Sequence, residues 1–251
     1  MRLSFTTDQG NGALAAFGLI VLQADETLEN EFRRIFVDPD VACYHARIPS
    51  HPQVTPATLS RMAADLPRTA GLLPAGVAFD AIAYACTSGA TVIGQEAVAA
   101  AIHASHPDVP VTDPITAVMA ACRALRASRL GFLTPYRPDV SQVMRRLLVG
   151  NGFDIVSFRS FEQEEERVVS HISEGSTLEA IVELGAHPEC QAVFASCTNL
   201  RTLGILEQAE RLLGKPVISS NRALAWHLLT LAGVNSPGPG RLFAAGAAAR
   251  T

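Results

Sequence analysis

The sequence predicts an α/β protein of two pseudo-symmetric Rossmann-like lobes, each a short parallel sheet flanked by helices, with the active site between the lobes. Three observations lead there. Short apolar strands alternate with helical segments along the 251 residues, as in parallel sheets covered on both faces. Phe79-Asp-Ala-Ile-Ala-Tyr-Ala-Cys86-Thr-Ser-Gly89 reads as a buried strand that ends in a cysteine and turns into a helix, and Cys190-Gln-Ala-Val-Phe-Ala-Ser-Cys197-Thr-Asn-Leu200 repeats that design. Each motif is followed by a helix and a short strand, with Val109-Pro-Val111 echoed by Lys215-Pro-Val217. One strand-Cys-Thr turn is unremarkable; two imply one site built from two halves.

The elements follow in order. Residues 1–15 are rich in glycine and polar residues and read as a loose lead-in. Phe17–Leu22 is the first buried strand, Leu28–Phe36 a helix and Val41–Ile48 a second strand. Thr55 or Pro56 opens a helix through Leu66, with Leu59, Met62 and Leu66 along one face. The Phe79–Ala85 strand leads to a helix from about Ala90 to His103, and Asp108–Asp113 is a short strand. Pro114 suits the first turn of the next helix, which carries Val118, Cys122 and Leu125. Arg129–Thr134 is a strand, Val140–Leu148 a helix, Phe153–Phe158 a strand, and Ser176–Ala186 a helix. The second cysteine strand is Ala192–Ser196, with its helix over Leu200–Leu213. Lys215–Ser219 is the matching strand, Ser220-Asn221 caps a last helix over Arg222–Leu231, and Gly233 with Pro237-Gly-Pro-Gly240 ends it. The expected division is 1–113 plus 220–251 for the lobe of Cys86 and 114–219 for the lobe of Cys197.

Composition narrows the function. A hydrophobic share of 48% with 18% charged residues belongs to a compact enzyme rather than a disordered chain. The net charge of −4 gives no basic field for nucleic acid. No stretch is long enough to span a bilayer, and no basic, then apolar leader opens the chain. Five cysteines, widely spaced and without a CxxC pair, argue against a disulfide framework or a structural zinc, so a cytoplasmic protein with reduced thiols is expected. No GxGxxG or GxxxxGK[ST] supports a nucleotide. The seven histidines show no HxH or HExxH spacing and read as surface or packing residues, so neither a metal nor an organic cofactor is expected.

Ligands of such sheets bind beyond the carboxyl ends of the strands, where Cys86 and Cys197 both fall. A cysteine at a helix N-terminus has its thiolate stabilised by free N–H groups and the helix dipole. Thr87, Ser88 and Gly89 leave space and donors for an anionic substrate group, and Thr198 and Asn199 do the same opposite. Two thiols across a cleft can act as base and acid on opposite faces of one carbon, or as nucleophile and proton donor. Cys43, Cys122 and Cys190 lack the turn and read as small buried hydrophobes. Tyr136 follows a strand end, from which it can reach the site or pack a turn. Glu162–Glu166 is most simply a solvated charge run, with one carboxylate free to point inward.

Ala83-Tyr-Ala-Cys86-Thr-Ser-Gly89, Leu133-Thr-Pro-Tyr136, Ser196-Cys197-Thr-Asn-Leu200, Pro216-Val-Ile-Ser-Ser-Asn221 and Gly238-Pro-Gly-Arg-Leu-Phe243 together resemble the Asp/Glu racemase superfamily. They are most similar to its branch of maleate cis-trans isomerases, arylmalonate decarboxylases and ectoine-utilisation proteins. The resemblance implies cofactor-independent isomerase chemistry on a small carboxylate. Cys86 would add to an alkene carbon as nucleophile, or act as base, and Cys197 would serve as the acid/base on the neighbouring carbon. Decarboxylases of the branch use only the second cysteine position, so the presence of both argues against decarboxylation. Two departures matter. Asp25 stands where maleate isomerases carry an asparagine, and a second asparagine is replaced within Glu164-Glu165-Glu166, a run in which any of the three carboxylates can face the site and Glu165 is taken as its centre. These acids favour an amino, amidinium or ring N–H group on the substrate. The expected binding set is Asp25, Thr87, Ser88, Tyr136, Glu165, Thr198 and Asn199. Maleate isomerisation is the leading activity, with racemisation or isomerisation of an ectoine-related, hydantoin or amino-acid derivative as its rival. An arylmalonate-type decarboxylase or a small-molecule sensor comes after these. A homo-oligomer is left open.

Overall fold

A computed structural model describes residues 2–8 and 10–248. The first sheet is built from β1 (Ala15–Leu22), β2 (Val41–Ile48), β3 (Ala81–Ala85) and β4 (Val111–Thr112), all parallel, in the order β2-β1-β3-β4. Its helices are α1 (Leu28–Ile35), α2 (Pro56–Arg61), α3 (Leu66–Ala70), α4 (Thr87–Ile93) and α5 (Gln95–His103). Helix α6 (Pro114–Ala124) crosses to the second sheet, which comprises β5 (Arg129–Tyr136), β6 (Asp154–Gln163), β7 (Ala192–Ala195) and β8 (Val217–Ser219). These too are parallel, in the order β6-β5-β7-β8. Around it lie α7 (Pro138–Gly150), α8 (Glu166–His171), α9 (Glu174–Gly185) and α10 (Leu206–Leu213); α11 (Ser220–Leu231) returns to pack on α1, β3 and β4 of the first lobe as well as on β8, and α12 (Gly240–Ala248) follows against α6 and α10. Shifting every strand number by four turns one sheet order into the other. The internal repeat in sequence is therefore a repeat in topology.

Strands β1, β3 and β7 are buried along their whole length, which explains their unbroken apolar runs: helices cover both faces of each sheet. The cysteine strands occupy the third place in each sheet, so their carboxyl ends lie next to those of β1 and β5. Helix α6 packs on α11, and these two helices join the lobes.

Five expectations need correction. The helix over Ala90–His103 is two helices, because Gly94 adopts φ +93° and breaks the run between α4 and α5. The helix from Thr55 to Leu66 stops at Arg61 and passes through a 3₁₀ turn over Met62–Ala64 into α3. The Asp108–Asp113 strand shrinks to Val111–Thr112. The helix after Cys197 begins at Leu206 rather than Leu200, because the intervening backbone donors bind a buried carboxylate instead of one another. Two helices come unheralded, α8 inside the acidic stretch and α12 after the Pro-Gly turn. Helix α11, expected to be the last and to be capped by Ser220-Asn221, is capped instead by Ser219, whose hydroxyl accepts the Arg222 N–H; Ser220 and Asn221 form its first turn.

Candidate active site

Strand β3 delivers Cys86 to the N-cap of α4, where its sulfur accepts the Gly89 N–H at 3.2 Å and lies 3.7 Å from the Ser88 hydroxyl. Gly89 is required there. A Cβ at that position would overlap the Tyr84 hydroxyl and stand 3.0 Å from the Cys86 sulfur. Thr87 turns inward and donates its hydroxyl to Ser220 Oγ at 2.8 Å.

Cys197 follows β7 and Ser196 in a different local setting. Its φ of +106° is rare for a side-chain-bearing residue, a strain of about 1–3 kcal/mol that the surroundings must hold. They hold it at several points. The Cys197 N–H donates to Ser220 Oγ at 3.0 Å, and the Thr198 hydroxyl donates to the Ala85 carbonyl at 3.4 Å. The Asn199 N–H donates to the Cys197 sulfur at 3.3 Å. Further along, Glu31 of α1 reaches across from the first lobe and accepts the Thr202 and Leu203 N–H groups, each at 2.8 Å. Asn221 Nδ2 bonds both Glu31 Oε2 and the Thr198 carbonyl at 2.8 Å. Ser220 thus ties the two cysteine turns to one hydroxyl, and Ala85 and Thr198 join them a second time.

Tyr136, the last residue of β5, has its hydroxyl 2.9 Å from Glu166 Oε1 and 3.0 Å from the Cys197 sulfur. Because that hydroxyl carries one proton, donating it to Glu166 leaves its oxygen to accept the Cys197 S–H. The result is a continuous line, Cys197 to Tyr136 to Glu166. Glu166 Oε2 accepts Asn199 Nδ2 at 3.0 Å, and Asn199 Oδ1 accepts the Glu26 N–H at 2.9 Å. Asp25, after β1, caps α1 through Oδ1, which accepts the Thr27 and Leu28 N–H groups at 2.8 Å each.

The acid facing the site is Glu166, not Glu165. Glu165 is exposed, stands just before α8 without a side-chain capping bond and pairs with Gln53 in an isolated antiparallel bridge, whereas Glu166 is 4% exposed. The bridge brings residues 52–54 of the first lobe against 164–166 of the second, with Glu166 N–H donating to Pro52 O and Val54 N–H to Glu164 O.

Electrostatics here are dominated by burial. Cys86 and Cys197 are each 3% exposed. Desolvation, aided by the nearby Glu166 charge, pushes the Cys86 thiol up to about 12 against the Gly89 N–H and the Ser88 hydroxyl, and carries Cys197 well above its ordinary value. Both thiols therefore hold their protons at neutral pH, and burial outweighs the helix-terminus donors expected to stabilise a thiolate at Cys86. Desolvation also raises Tyr136, Asp25 and Glu166, the last to about 7.

Of the sequence-derived set, Cys86, Thr87, Ser88, Asp25, Tyr136, Thr198 and Asn199 come together; Glu165 does not. Sequence reasoning missed Glu31 and the bridging roles of Ser220 and Asn221. The last two stood inside a quoted motif but read only as a helix cap. Cys43 is half-buried on β2, Cys122 is buried in α6, and the Cys190 thiol donates to the Ala192 carbonyl. Among the described residues no group of three His, Cys, Asp or Glu side chains is arranged to hold a metal ion, and no helix is long and apolar enough to cross a membrane.

Known proteins share this fold. The chain is 28% identical over 237 residues to the maleate isomerase of Nocardia farcinica, covering 90% of this chain and 94% of that one. It is 31% identical over 139 residues to the arylmalonate decarboxylase of Bordetella bronchiseptica, covering 54% of this chain and 58% of that one. A solved structure of the Nocardia farcinica maleate cis-trans isomerase, a cysteine-to-serine mutant with a covalently bound succinylcysteine intermediate, superposes with a TM-score of 0.83 at 27% identity, covering 91% of this chain and 98% of that one. The family model for arylmalonate decarboxylase matches residues 59–243. The chain belongs to the arylmalonate decarboxylase family.

Proposed function

We propose that the protein is a cofactor-independent isomerase of a small carboxylate, working through Cys86 and Cys197 in the manner of a maleate cis-trans isomerase. The observation that carries this reading is that the turns bearing two buried thiols, at the ends of equivalent strands, meet on one hydroxyl, Ser220 Oγ, through the Thr87 hydroxyl and the Cys197 N–H. The likeness to maleate isomerases over nine-tenths of the chain supports it. A decarboxylase of the branch does without the first cysteine, so the pair weighs against that reaction.

The chemistry then runs as follows. Cys86 passes its proton to Glu166, the buried carboxylate whose charge bears on it, and adds through sulfur to one alkene carbon of a cis-enediacid, while the Cys197 S–H supplies a proton to the neighbouring carbon. The former double bond, now single, rotates. Cys197 takes the proton back, the carbon–sulfur bond breaks, and the trans acid leaves with Cys86 restored as thiolate. Tyr136 stabilises Cys197 when it is charged, and Glu166 takes up or returns the proton along the same line of hydrogen bonds. The N–H groups of Gly89 and Asn199, which meet the two sulfurs, give each charged state a donor. The same pair would racemise a carbon beside a carboxylate by removing a proton on one face and returning one on the other. The proton route from Cys197 to Glu166 favours keeping this second reading, because a racemase must reset both thiols each cycle.

Conversion of maleate to fumarate followed by proton NMR tests the reading. The wild type is expected to convert, and Cys86→Ala and Cys197→Ala each to lose about a thousandfold or more, as when a nucleophile or its proton donor is removed. Full activity in both single variants refutes the two-thiol mechanism.

A further inference from the structure

Two carboxylates share the site with the two thiols, and one of them is incompletely bonded. Asp25 is 4% exposed; its Oδ1 accepts two backbone N–H groups, while Oδ2 is buried with no hydrogen-bond partner. A carboxylate has only acceptors to offer, so a buried oxygen of this kind calls for a donor. Asp25 stands on the wall of the site: Asn199, whose Nδ2 donates to Glu166 Oε2 at 3.0 Å, also bonds the backbone on either side of Asp25, donating to the Ala24 carbonyl at 3.5 Å and accepting the Glu26 N–H at 2.9 Å. Glu166 accepts one hydrogen bond on each oxygen, from Tyr136 and Asn199, and each oxygen retains a further lone pair.

Among the described residues no side chain donates to Asp25 Oδ2. The guanidinium nearest Asp25 is that of Arg47. It bonds the backbone carbonyls of Leu22, Gln23 and Asp25 and pairs with Glu29, leaving the Asp25 carboxylate alone. The other groups around the two acids are Cys86, Cys197, Tyr136, Asn199 and Thr198, none of them cationic; the Thr198 hydroxyl beside Asp25 donates to the Ala85 carbonyl at 3.4 Å, and Glu166 also borders a small cavity lined by Ser50 and His51. A ligand with carboxylates at both ends would set like charge against this wall, whereas an N–H group would satisfy it.

We infer that the Asp25–Glu166 wall receives a nitrogen-bound hydrogen of the substrate, so that the preferred substrate is a small acid carrying one carboxylate and, next to the reacting carbons, an amide, amidine or amine N–H in place of a second carboxylate. This rests on the reading of the site as one for a small carboxylate and names the class within it. Burial raises both carboxyl groups above their ordinary values, and a donor in contact draws them back towards the charged form that accepts hydrogen bonds.

Calorimetric titration of the full chain with maleate and with maleamate, its monoamide, decides the matter. Cys86→Ala serves as the parent, so that neither ligand is consumed. The parent is expected to bind maleamate about tenfold or more tighter than maleate, the scale of a hydrogen bond to a charged acceptor set against like-charge contact. Adding Asp25→Asn is expected to bring that ratio to about one or reverse it, and Glu166→Gln to reduce it in the same direction. Should Asp25→Asn fail to fold, as judged by its urea transition, Glu166→Gln carries the test. Equal or tighter binding of maleate by the parent overturns the inference while leaving the small-carboxylate reading in place. A ratio that neither substitution moves overturns it too. Failure of both acids to bind overturns the small-carboxylate reading, and the inference with it.

Discussion

Replacing Glu166 by glutamine should change how stability depends on pH. In the fold Glu166 is buried against Tyr136 and Asn199 with Asp25 nearby, and desolvation lifts it from an ordinary value of 4.5 to about 7. The folded protein therefore binds this proton more tightly than the unfolded chain does. The stability it contributes is fully present below pH 4.5 and is lost as pH rises through about 7. At about 1.36 kcal/mol per pH unit the whole interval is worth about 3 kcal/mol, of which about 2–3 kcal/mol falls between about pH 5 and about pH 8.5. Glutamine keeps the acceptor for the Tyr136 hydroxyl but turns an NH₂ towards Asn199 Nδ2, a pH-independent cost of about 1–3 kcal/mol. Urea denaturation of both proteins across this range isolates the effect, because buried acids away from Glu166, such as Glu31 and Asp113, are common to both and cancel. The stability of the variant relative to wild type should climb by about 2–3 kcal/mol from the acid to the alkaline end. A difference constant to within about 0.5 kcal/mol would refute the assignment of Glu166 as a buried, proton-holding acid.

Two further substitutions probe the scaffold. Glu210→Ala should destabilise by about 3–5 kcal/mol in urea, because Arg222 is fully buried 2.6 Å from Glu210, and the same carboxylate accepts the Arg241 N–H that starts the terminal helix; a loss below about 1 kcal/mol would contradict this. Gly89→Ala should cost about 1–3 kcal/mol and slow alkylation of Cys86 by iodoacetamide, since the added methyl group displaces the Tyr84 hydroxyl and crowds the sulfur. Unchanged alkylation of Cys86 would show that the approach of Gly89 is immaterial.

The fold was legible because it rests on periodicity and repetition. Strands such as Ala81–Ala85 and Ala192–Ala195 are buried on both faces, so their apolar runs announce themselves, and the cysteine that ends each marks equivalent places in two sheets of the same order. What could not be read depends on long-range polar contacts. Nothing local to Leu200–Ile205 forbids a helix; Glu31, far off in sequence, withdraws the Thr202 and Leu203 N–H groups from it. The choice between Glu165 and Glu166 likewise turns on a bridge between Gln53 and Glu165 that faces one carboxylate outward and its neighbour inward. Ser220 looked like an ordinary cap because its role lies in two partners, Thr87 and Cys197, from different lobes. The thiol acidity expected from a helix N-terminus at Cys86 failed for a related reason: the turn is local, but the desolvation that overrides it belongs to the assembled site.

The central claim is that Cys86 and Cys197 act on one substrate from one site, the first forming a bond to carbon and the second moving a proton. Its most direct test is the mass of the Cys197→Ser protein after incubation with maleate or maleamate, followed by peptide mapping. With the proton partner removed, the adduct on the first thiol should accumulate. The account predicts a mass increment equal to one molecule of the acid, located on the peptide that carries Cys86 and absent when Cys86→Ala is added. An adduct on Cys43, Cys122 or Cys190 instead, or turnover that proceeds normally without Cys86, would contradict it.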